Sequence, residues 1–129
     1  MIKFLISFFT FGLLAGCPQL VMPVSPAEYL LYAAAELESI SQASLEIAAY
    51  QEKQTDKAFQ SGKITIQQAG VRYKETANWL RKMKAGVEKG KVTVEIANTA
   101  LTAGDLSKVD NSILTLRNII RDLRTDLGE

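Results

Sequence analysis

Few side chains in this sequence are suited to covalent or acid–base chemistry. Its 129 residues include a single cysteine, Cys17, and no histidine, which removes the commonest general base and the commonest metal ligand. The closely spaced carboxylates Glu36 and Glu38 do not form a pair, because side chains two residues apart on a helix point to different faces. The sequence therefore predicts no catalytic residue, no metal site and no cofactor, and it draws attention to Cys17.

The cysteine follows an apolar stretch at the start of the chain. Lys3 precedes an almost uninterrupted apolar run over residues 4–15. This run has the length of a signal-peptide core and is shorter than the roughly 20 residues that span a bilayer. An uncleaved anchor over residues 4–24 and an ordinary cleaved secretion signal are the alternatives, although Pro18 and Gln19 would interrupt the anchor.

The residues Leu14-Ala15-Gly16-Cys17 resemble the lipobox of bacterial lipoproteins. In that family the thiol receives a diacylglycerol, a peptidase cuts before the cysteine, and the new N-terminus is usually acylated. The resemblance implies that residues 1–16 are a signal peptide and that Cys17 is lipidated and carries palmitate label. It also implies a lipid-anchored location in the bacterial cell envelope, with the domain on the periplasmic or extracytoplasmic side. Both the inner and the outer membrane stay open.

The rest of the chain has the composition of one small folded domain. Hydrophobic residues make up 47% and charged residues 22% of the sequence, a balance typical of globular proteins. One cysteine cannot form an internal disulfide, so stability has to come from packing. Residues 17–24 are the lipidated N-terminus and a short tether that contains Pro18 and Pro23, and residues 25–129 are the domain.

Capping signals predict the first and the third of three helices. Ser25, Pro26 and Glu28 form a capping box with a first-turn proline, and a Ser-Gly pair at 61–62 is a stop signal, so a helix is predicted over about 26–60. Gly104 and Asp105 end one helix and cap the next, which is predicted over about 106–127. The apolar stripe of this last helix consists of Leu106, Val109, Ile113, Leu116, Ile120, Leu123 and Leu127.

A seven-residue repeat predicts the second helix over about 66–103, after a cap formed by Thr65 and Gln68. One row consists of Ile66, Tyr73, Leu80, Val87, Val94 and Leu101, and the companion row of Ala69, Thr76, Met83, Gly90 and Ala97. The register runs across Gly86 and Gly90 and therefore predicts one long helix. Each glycine weakens it locally by about 1 kcal/mol, so a kink or break near residue 90 is the alternative. Since short connections join long helices, the sequence predicts an all-α fold, an up-down-up three-helix antiparallel bundle with coiled-coil-like heptads.

Charges are segregated along the chain, although the formal net charge is only +1. Residues 26–52 contain five acidic residues and no basic one, whereas residues 63–91 contain eight basic and two acidic residues. In an antiparallel hairpin these segments lie side by side, so we expect ion pairs worth on the order of a few tenths of a kcal/mol each. The expected partners are Glu36, Glu38 and Glu46 on one helix and Arg81, Lys82, Lys84, Lys89 and Lys91 on the other.

Six residues are candidates for contact with a partner or a membrane: Tyr29, Tyr32, Trp79, Arg81, Lys82 and Lys84. The two tyrosines belong to an apolar cluster at the start of the first helix, and the basic residues suit anionic lipid headgroups. Tryptophan is enriched in binding hot spots. The alternatives are pairing of the basic residues with the first helix and partial burial of the tryptophan at the rim of the bundle.

A second resemblance covers residues 50–127. Its residues are Tyr50, Asp56, Gly62-Lys63-Ile64-Thr65, Gln68-Ala69 and Ala103-Gly104-Asp105, which are similar in order to small helical proteins of tailed phages and prophages. This resemblance implies a phage-derived envelope lipoprotein that acts in host lysis or in superinfection or entry exclusion.

Taken together, these patterns predict a non-enzymatic, membrane-anchored lipoprotein that acts by contact with an unidentified protein partner, with the membrane or with itself. Regular heptads allow helices to be shared between chains, so a homo-oligomer is among the expectations. No nucleic-acid partner is expected outside the cytoplasm. An enzyme or small-ligand carrier built in the bundle core would need polar residues there, and Thr76 and Asn98 alone lie near that seam.

Overall fold

A computed structural model describes residues 24–129 as three α-helices. We label them α1 (Pro26–Gln60), α2 (Ile66–Thr102) and α3 (Leu106–Leu127). The three helices pack against one another, and residues 24–129 contain no strand, so the prediction of an all-helical fold is confirmed for this part of the chain. The predicted signal peptide, the lipidation of Cys17 and the tether up to residue 23 lie outside the described residues.

Capping side chains begin α1 and α2. Ser25 Oγ accepts a hydrogen bond from the Glu28 N–H at 3.3 Å, and Pro26 occupies the first helical position. Thr65 and Gln68 form a complete capping box, in which each side chain accepts a hydrogen bond from the other residue's backbone N–H. These acceptors satisfy N–H groups that the first turn of a helix would otherwise leave without a partner.

Short turns with left-handed glycines connect the helices. Gly62 and Gly104 have φ angles of +72° and +74°, a conformation that is strained for residues with a β-carbon. Asp105 follows Gly104 directly and caps α3, because its carboxylate accepts a hydrogen bond from the Lys108 N–H at 3.1 Å. The connections of residues 61–65 and 103–105 leave consecutive helices as neighbours.

Pairs of contacting residues define the register between α1 and α2. Near the 61–65 turn, the Tyr73 hydroxyl of α2 donates a hydrogen bond to Asp56 of α1. Farther from the turn, Lys91 Nζ of α2 lies 3.4 Å from a Glu38 carboxylate oxygen of α1. Residue numbers in these pairs rise along α2 as they fall along α1.

The helices differ in length, and α3 covers only part of the other two. It has 22 residues, whereas α1 has 35 and α2 has 37. The end of α3 lies beside Trp79, whose Nε1 donates a hydrogen bond to the Asp126 carbonyl oxygen at 3.2 Å. Residues 66–79 of α2 therefore continue past α3 for about 21 Å, at 1.5 Å per residue. Residues 48–60 of α1, the connecting turn and residues 66–79 of α2 together form a two-helix segment, residues 48–79, which we call the arm.

The companion row of the heptad repeat forms the centre of the buried face of α2. All five of its residues are buried: Ala69, Thr76, Met83, Gly90 and Ala97. In the other row only Val87 and Val94 are buried, and Ile66 is 66% exposed. The sequence shows both rows, but it does not show which row is buried more deeply. The companion row is buried more deeply because its small residues allow α1 to approach closely.

Gly86 and Gly90 of α2 allow close packing of the other two helices. A β-carbon on Gly90 would lie 2.6 Å from Cδ2 of Leu37 in α1, and one on Gly86 would lie 2.5 Å from Cδ2 of Leu123 in α3. The helix is continuous from Ile66 to Thr102 and has no break near residue 90. Close packing of the two leucines against the glycines offsets the low helix propensity of glycine.

We expect Gly90→Ala to lower the free energy of unfolding by about 1 kcal/mol. Overpacking against Leu37 costs about 1–3 kcal/mol, which exceeds a helix-propensity gain of about 1 kcal/mol. Gly70→Ala is the matched control, because no atom lies within 4 Å of a β-carbon at that helical position, and it should raise the free energy of unfolding. Denaturant unfolding followed by far-UV circular dichroism measures both. Equal stabilisation by the two substitutions would contradict the packing role of Gly90.

Candidate functional site

The six candidate contact residues lie in two separate regions. Tyr29 and Tyr32 belong to the first two turns of α1. The others, Trp79, Arg81, Lys82 and Lys84, lie in the middle of α2. Thr76 contacts Gln51 and Gly90 packs against Leu37, so residues 79–84 lie level with about residues 43–48 of α1. The two regions are therefore about 23 Å apart along the helix axis at 1.5 Å per residue. The structure therefore does not bring the six residues together into one surface.

Tyr29 is engaged within the domain, whereas Tyr32 is not buried. The guanidinium carbon of Arg117 lies 5.1 Å from the centroid of the half-buried Tyr29 ring, within the range of a cation–π contact between α1 and α3. Burial raises the pKa of Tyr29 above its ordinary value of 10.0, while a hydrogen bond from Arg117 and its positive charge act in the opposite direction. Tyr32 is 59% exposed and its neighbour Leu31 is 73% exposed, so these two side chains are accessible for contact.

Trp79 and Lys82 hold the end of α3. The half-buried indole of Trp79 packs against the hydrophobic core and donates its hydrogen bond to Asp126, and Lys82 Nζ lies 3.2 Å from an Asp126 carboxylate oxygen. Arg81 and Lys84 are exposed on the surface of α2, where Arg81 donates a hydrogen bond to Asn78 at 3.1 Å. The side chains of Trp79 and Lys82 thus have an internal role.

The expected ion pairs between α1 and α2 form in one case only within residues 24–129, between Glu38 and Lys91. Glu36 instead pairs with Arg124 of α3, and Lys82 pairs with Asp126 of α3. The reason is geometric: residues 36 and 38 are about 200° apart around a helix, so they face different neighbours. The expectation failed because α3 has charged residues of its own on both of its flanks.

Sequence reasoning missed an open groove on the arm, with a volume of about 480 Å³. From α1 it is lined by Tyr50, Gln51, Gln54 and Thr55, and from α2 by Arg72, Glu75, Thr76 and Trp79. Because Trp79 also contacts the end of α3, the groove continues the face on which α3 packs. The relative lengths of the predicted helices were the signal that pointed to it, since α3 is too short to cover both partners.

The floor of the groove is polar, and its hydrogen bonds are formed internally. Thr76 Oγ1 donates to Gln51 Oε1 at 3.2 Å, and Thr55 Oγ1 donates to the Gln51 carbonyl oxygen at 3.0 Å. Over residues 24–129, every buried side-chain nitrogen or oxygen has a hydrogen-bond partner. The groove therefore presents no buried polar group that needs a small ligand, and its shape suits an elongated partner such as a helix.

A second exposed region surrounds the start of α1, where the chain enters the domain from residue 23. We call it the tether end. The order of contacts along α1 and α2 puts the last turns of α2 and the first turn of α3 at this same end. Exposed apolar side chains here are Leu31, Tyr32, Ile96 and Leu106, the last of them 65% exposed. Single exposed apolar residues are ordinary, but four at the end nearest the N-terminal segment form a candidate contact region.

The residues on which the expected resemblance to small phage proteins rests have local structural roles. Gly62 and Gly104 are the left-handed residues of the two turns, and Thr65, Gln68 and Asp105 are helix caps. Any helical hairpin needs residues of these types at these places. They support the helical architecture and carry no information about activity.

Comparisons with protein-family models, with curated proteins and with solved structures found no match. In residues 24–129 no group of three or more His, Cys, Asp or Glu side chains could hold a metal ion. No helix in the described part of the chain is both long and apolar enough to cross a membrane.

We expect Arg124→Met to lower the free energy of unfolding by about 1 kcal/mol, because it leaves the Glu36 carboxylate, only 23% exposed, without its partner. Arg121→Met is the matched control. Arg121 pairs with the adjacent Asp122, both 69% exposed, so its removal should change stability by less than about 0.5 kcal/mol. Thermal and denaturant unfolding at neutral pH measure the difference. Similar effects of both variants would show that the Glu36 pair does not hold α3 in place.

Proposed function

We propose that the protein is a membrane-anchored lipoprotein of the bacterial cell envelope that acts by contact and not by catalysis. The observation that carries the proposal is the lipobox-like Leu14-Ala15-Gly16-Cys17 directly upstream of a capped helical domain that begins at Ser25. The tether of residues 18–24 reaches about 25 Å when extended. An anchor on Cys17 would therefore keep the tether end close to the bilayer.

The exposed apolar residues of the tether end support a contact at the membrane surface. Tyr32 is an amphipathic residue of the type that favours membrane–water interfaces, and Leu31 and Leu106 are exposed apolar residues at the same end of the domain. A membrane-proximal protein is the other partner that such a surface suits. In either case the anchor does most of the localisation, because several acyl chains bind a bilayer far more tightly than a few exposed side chains.

The same proposal includes the up-down-up arrangement of the bundle. It is supported by the opposite order of contacts along α1 and α2, in the pairs Asp56–Tyr73 and Glu38–Lys91. Between α1 and α3 the order is the same in both helices, since Tyr29 contacts Arg117 and Glu36 pairs with Arg124. In this arrangement the arm lies at the far end from the membrane anchor.

An alternative proposal follows from the second resemblance, namely that the gene is phage-derived and the protein acts in host lysis or in superinfection or entry exclusion. The similar residues are caps and turns, so their support extends to the helical hairpin alone. Lysis or tail genes beside this gene would favour the alternative.

Metabolic labelling with palmitate tests the anchor. We expect the wild-type chain to be labelled and recovered in the membrane fraction, and Cys17→Ser to lose essentially all label and to keep residues 1–16 uncleaved. Gln19→Ala is the matched control, because it lies just outside the lipobox and should label like the wild type. Equal labelling of the wild type and Cys17→Ser would overturn the lipoprotein proposal.

Photo-cross-linking in intact cells tests contact at the tether end. With benzoylphenylalanine in place of Tyr32, we expect adducts with lipid or with a membrane-proximal protein. Replacing residues 1–17 with an ordinary cleaved secretion signal, which leaves neither the lipid anchor nor the apolar run, should abolish them. The same replacement at Leu45, which is 42% exposed and lies farther along α1, is the matched control and should give few adducts with lipid. Adducts at Tyr32 that persist unchanged in the secreted, anchor-free chain would contradict a contact that depends on the anchor.

A further inference from the structure

We infer that the groove on the arm is a docking site for a second copy of this chain, so that two arms pack into an antiparallel four-helix bundle. This inference rests on the proposed function, since it names one partner of a protein that acts by contact. Three features of the arm carry it: continuity with the α3 interface, a seam of small residues, and a self-complementary pair of charges.

The first feature is that the groove extends an interface already used inside the molecule. On the tether side of Trp79, the face formed by α1 and α2 is covered by α3, which packs through Leu123 and Asp126. On the other side of Trp79 the same face continues for about 21 Å, and no described part of the chain covers it. A helix placed in line with α3 could therefore pack against both helices of the arm.

The second feature is the small amount of apolar surface that the arm buries by itself. Its buried residues are Ala48, Thr55, Ala69 and Thr76, all of them small. The other half of the bundle buries Leu37, Met83 and Leu116 completely. Long helices gain most of their stability from packing, so two helices joined by such a thin seam gain from a further layer.

The third feature identifies the occupant. Arg72 and Glu75 lie one turn apart on the groove side of α2, and neither has an ion-pair partner among residues 24–129. In a two-fold assembly, residue i of one subunit meets residue j of the other, and j meets i. An axis that passes between these two residues brings each Arg72 opposite the Glu75 of the other copy and forms two ion pairs. The surface is thus complementary to itself.

The size of the face sets the expected strength. Two helices, each about 10 Å wide, over about 21 Å give a face of about 400 Å², which is below the roughly 800 Å² per partner of a standard stable interface. We therefore expect weak self-association in dilute solution. Anchoring in a membrane raises the effective concentration of the chains and favours the dimer, so the test uses full-length anchored protein.

The experiment co-expresses full-length chains that carry two different C-terminal epitope tags and measures co-precipitation from mild-detergent extracts. Arg72→Glu in both chains, or Glu75→Arg in both chains, should reduce co-precipitation at least about tenfold, because like charges then meet twice across the axis. One chain with Arg72→Glu and the other with Glu75→Arg should restore it to near the wild-type level. An ion pair within one chain could not produce this rescue.

Lys89→Glu and Glu95→Arg are the matched controls, since they make the same charge changes at exposed positions of α2 outside the groove, and both should co-precipitate like the wild type. The inference is overturned if the wild type does not co-precipitate, if either groove variant behaves like the wild type, or if the mixed pair fails to recover. Palmitate labelling of the same samples separates the two proposals. Chains that are labelled but do not self-associate would overturn the docking site and leave the lipoprotein proposal unaffected.

Discussion

Gly86 and Gly90 lie about one turn apart on α2, and leucines from the other two helices occupy the space where their β-carbons would be. This close approach fixes the positions of α1 and α3 relative to α2 at nearly the same level of the bundle. Other contacts between the helices fit the same relative positions. Glu38 of α1 pairs with Lys91 of α2, and Trp79 of α2 donates a hydrogen bond to Asp126 of α3. A larger residue at either glycine would push a neighbouring helix outward and loosen the contacts above and below it.

The difference in helix length divides the domain into two structurally different regions. Leu123 packs at Gly86 near the end of α3, and residues 106–122 of that helix lead back from there toward the tether end. No described residue remains to cover the arm in the opposite direction. The tether end therefore has three helices and exposed apolar side chains. The arm has two helices, an open groove, exposed Phe59, Ile66 and Val71, and two charged residues without an ion-pair partner among residues 24–129. In the proposed function the tether end contacts the membrane surface and the arm contacts another helix.

Local signals predicted the boundaries of the helices, whereas the contacts between them could not be derived from the sequence. Ser25, Thr65 and Asp105 act on backbone groups three residues away, so their effect is readable without the fold. The role of Gly90 depends on a leucine 53 positions earlier, and helix propensity alone marked this position only as a local weak point of the helix. Glu36 likewise found its partner on α3 and not on α2, because position 36 lies on the other side of α1 from position 38.

The proposed docking geometry has a consequence for how the protein would lie on a membrane. An antiparallel pair of arms points its two tether ends in opposite directions. Each α1 is about 52 Å long at 1.5 Å per residue and the arms overlap by about 21 Å, so the two ends are about 80 Å apart. Both anchors can enter one bilayer only if the helices lie roughly parallel to its surface, with the two-fold axis along the membrane normal. A monomer tethered by one anchor has no such constraint. Self-association would thus convert a freely oriented domain into a flat, doubly anchored one that presents the same surface of every copy to the periplasmic side.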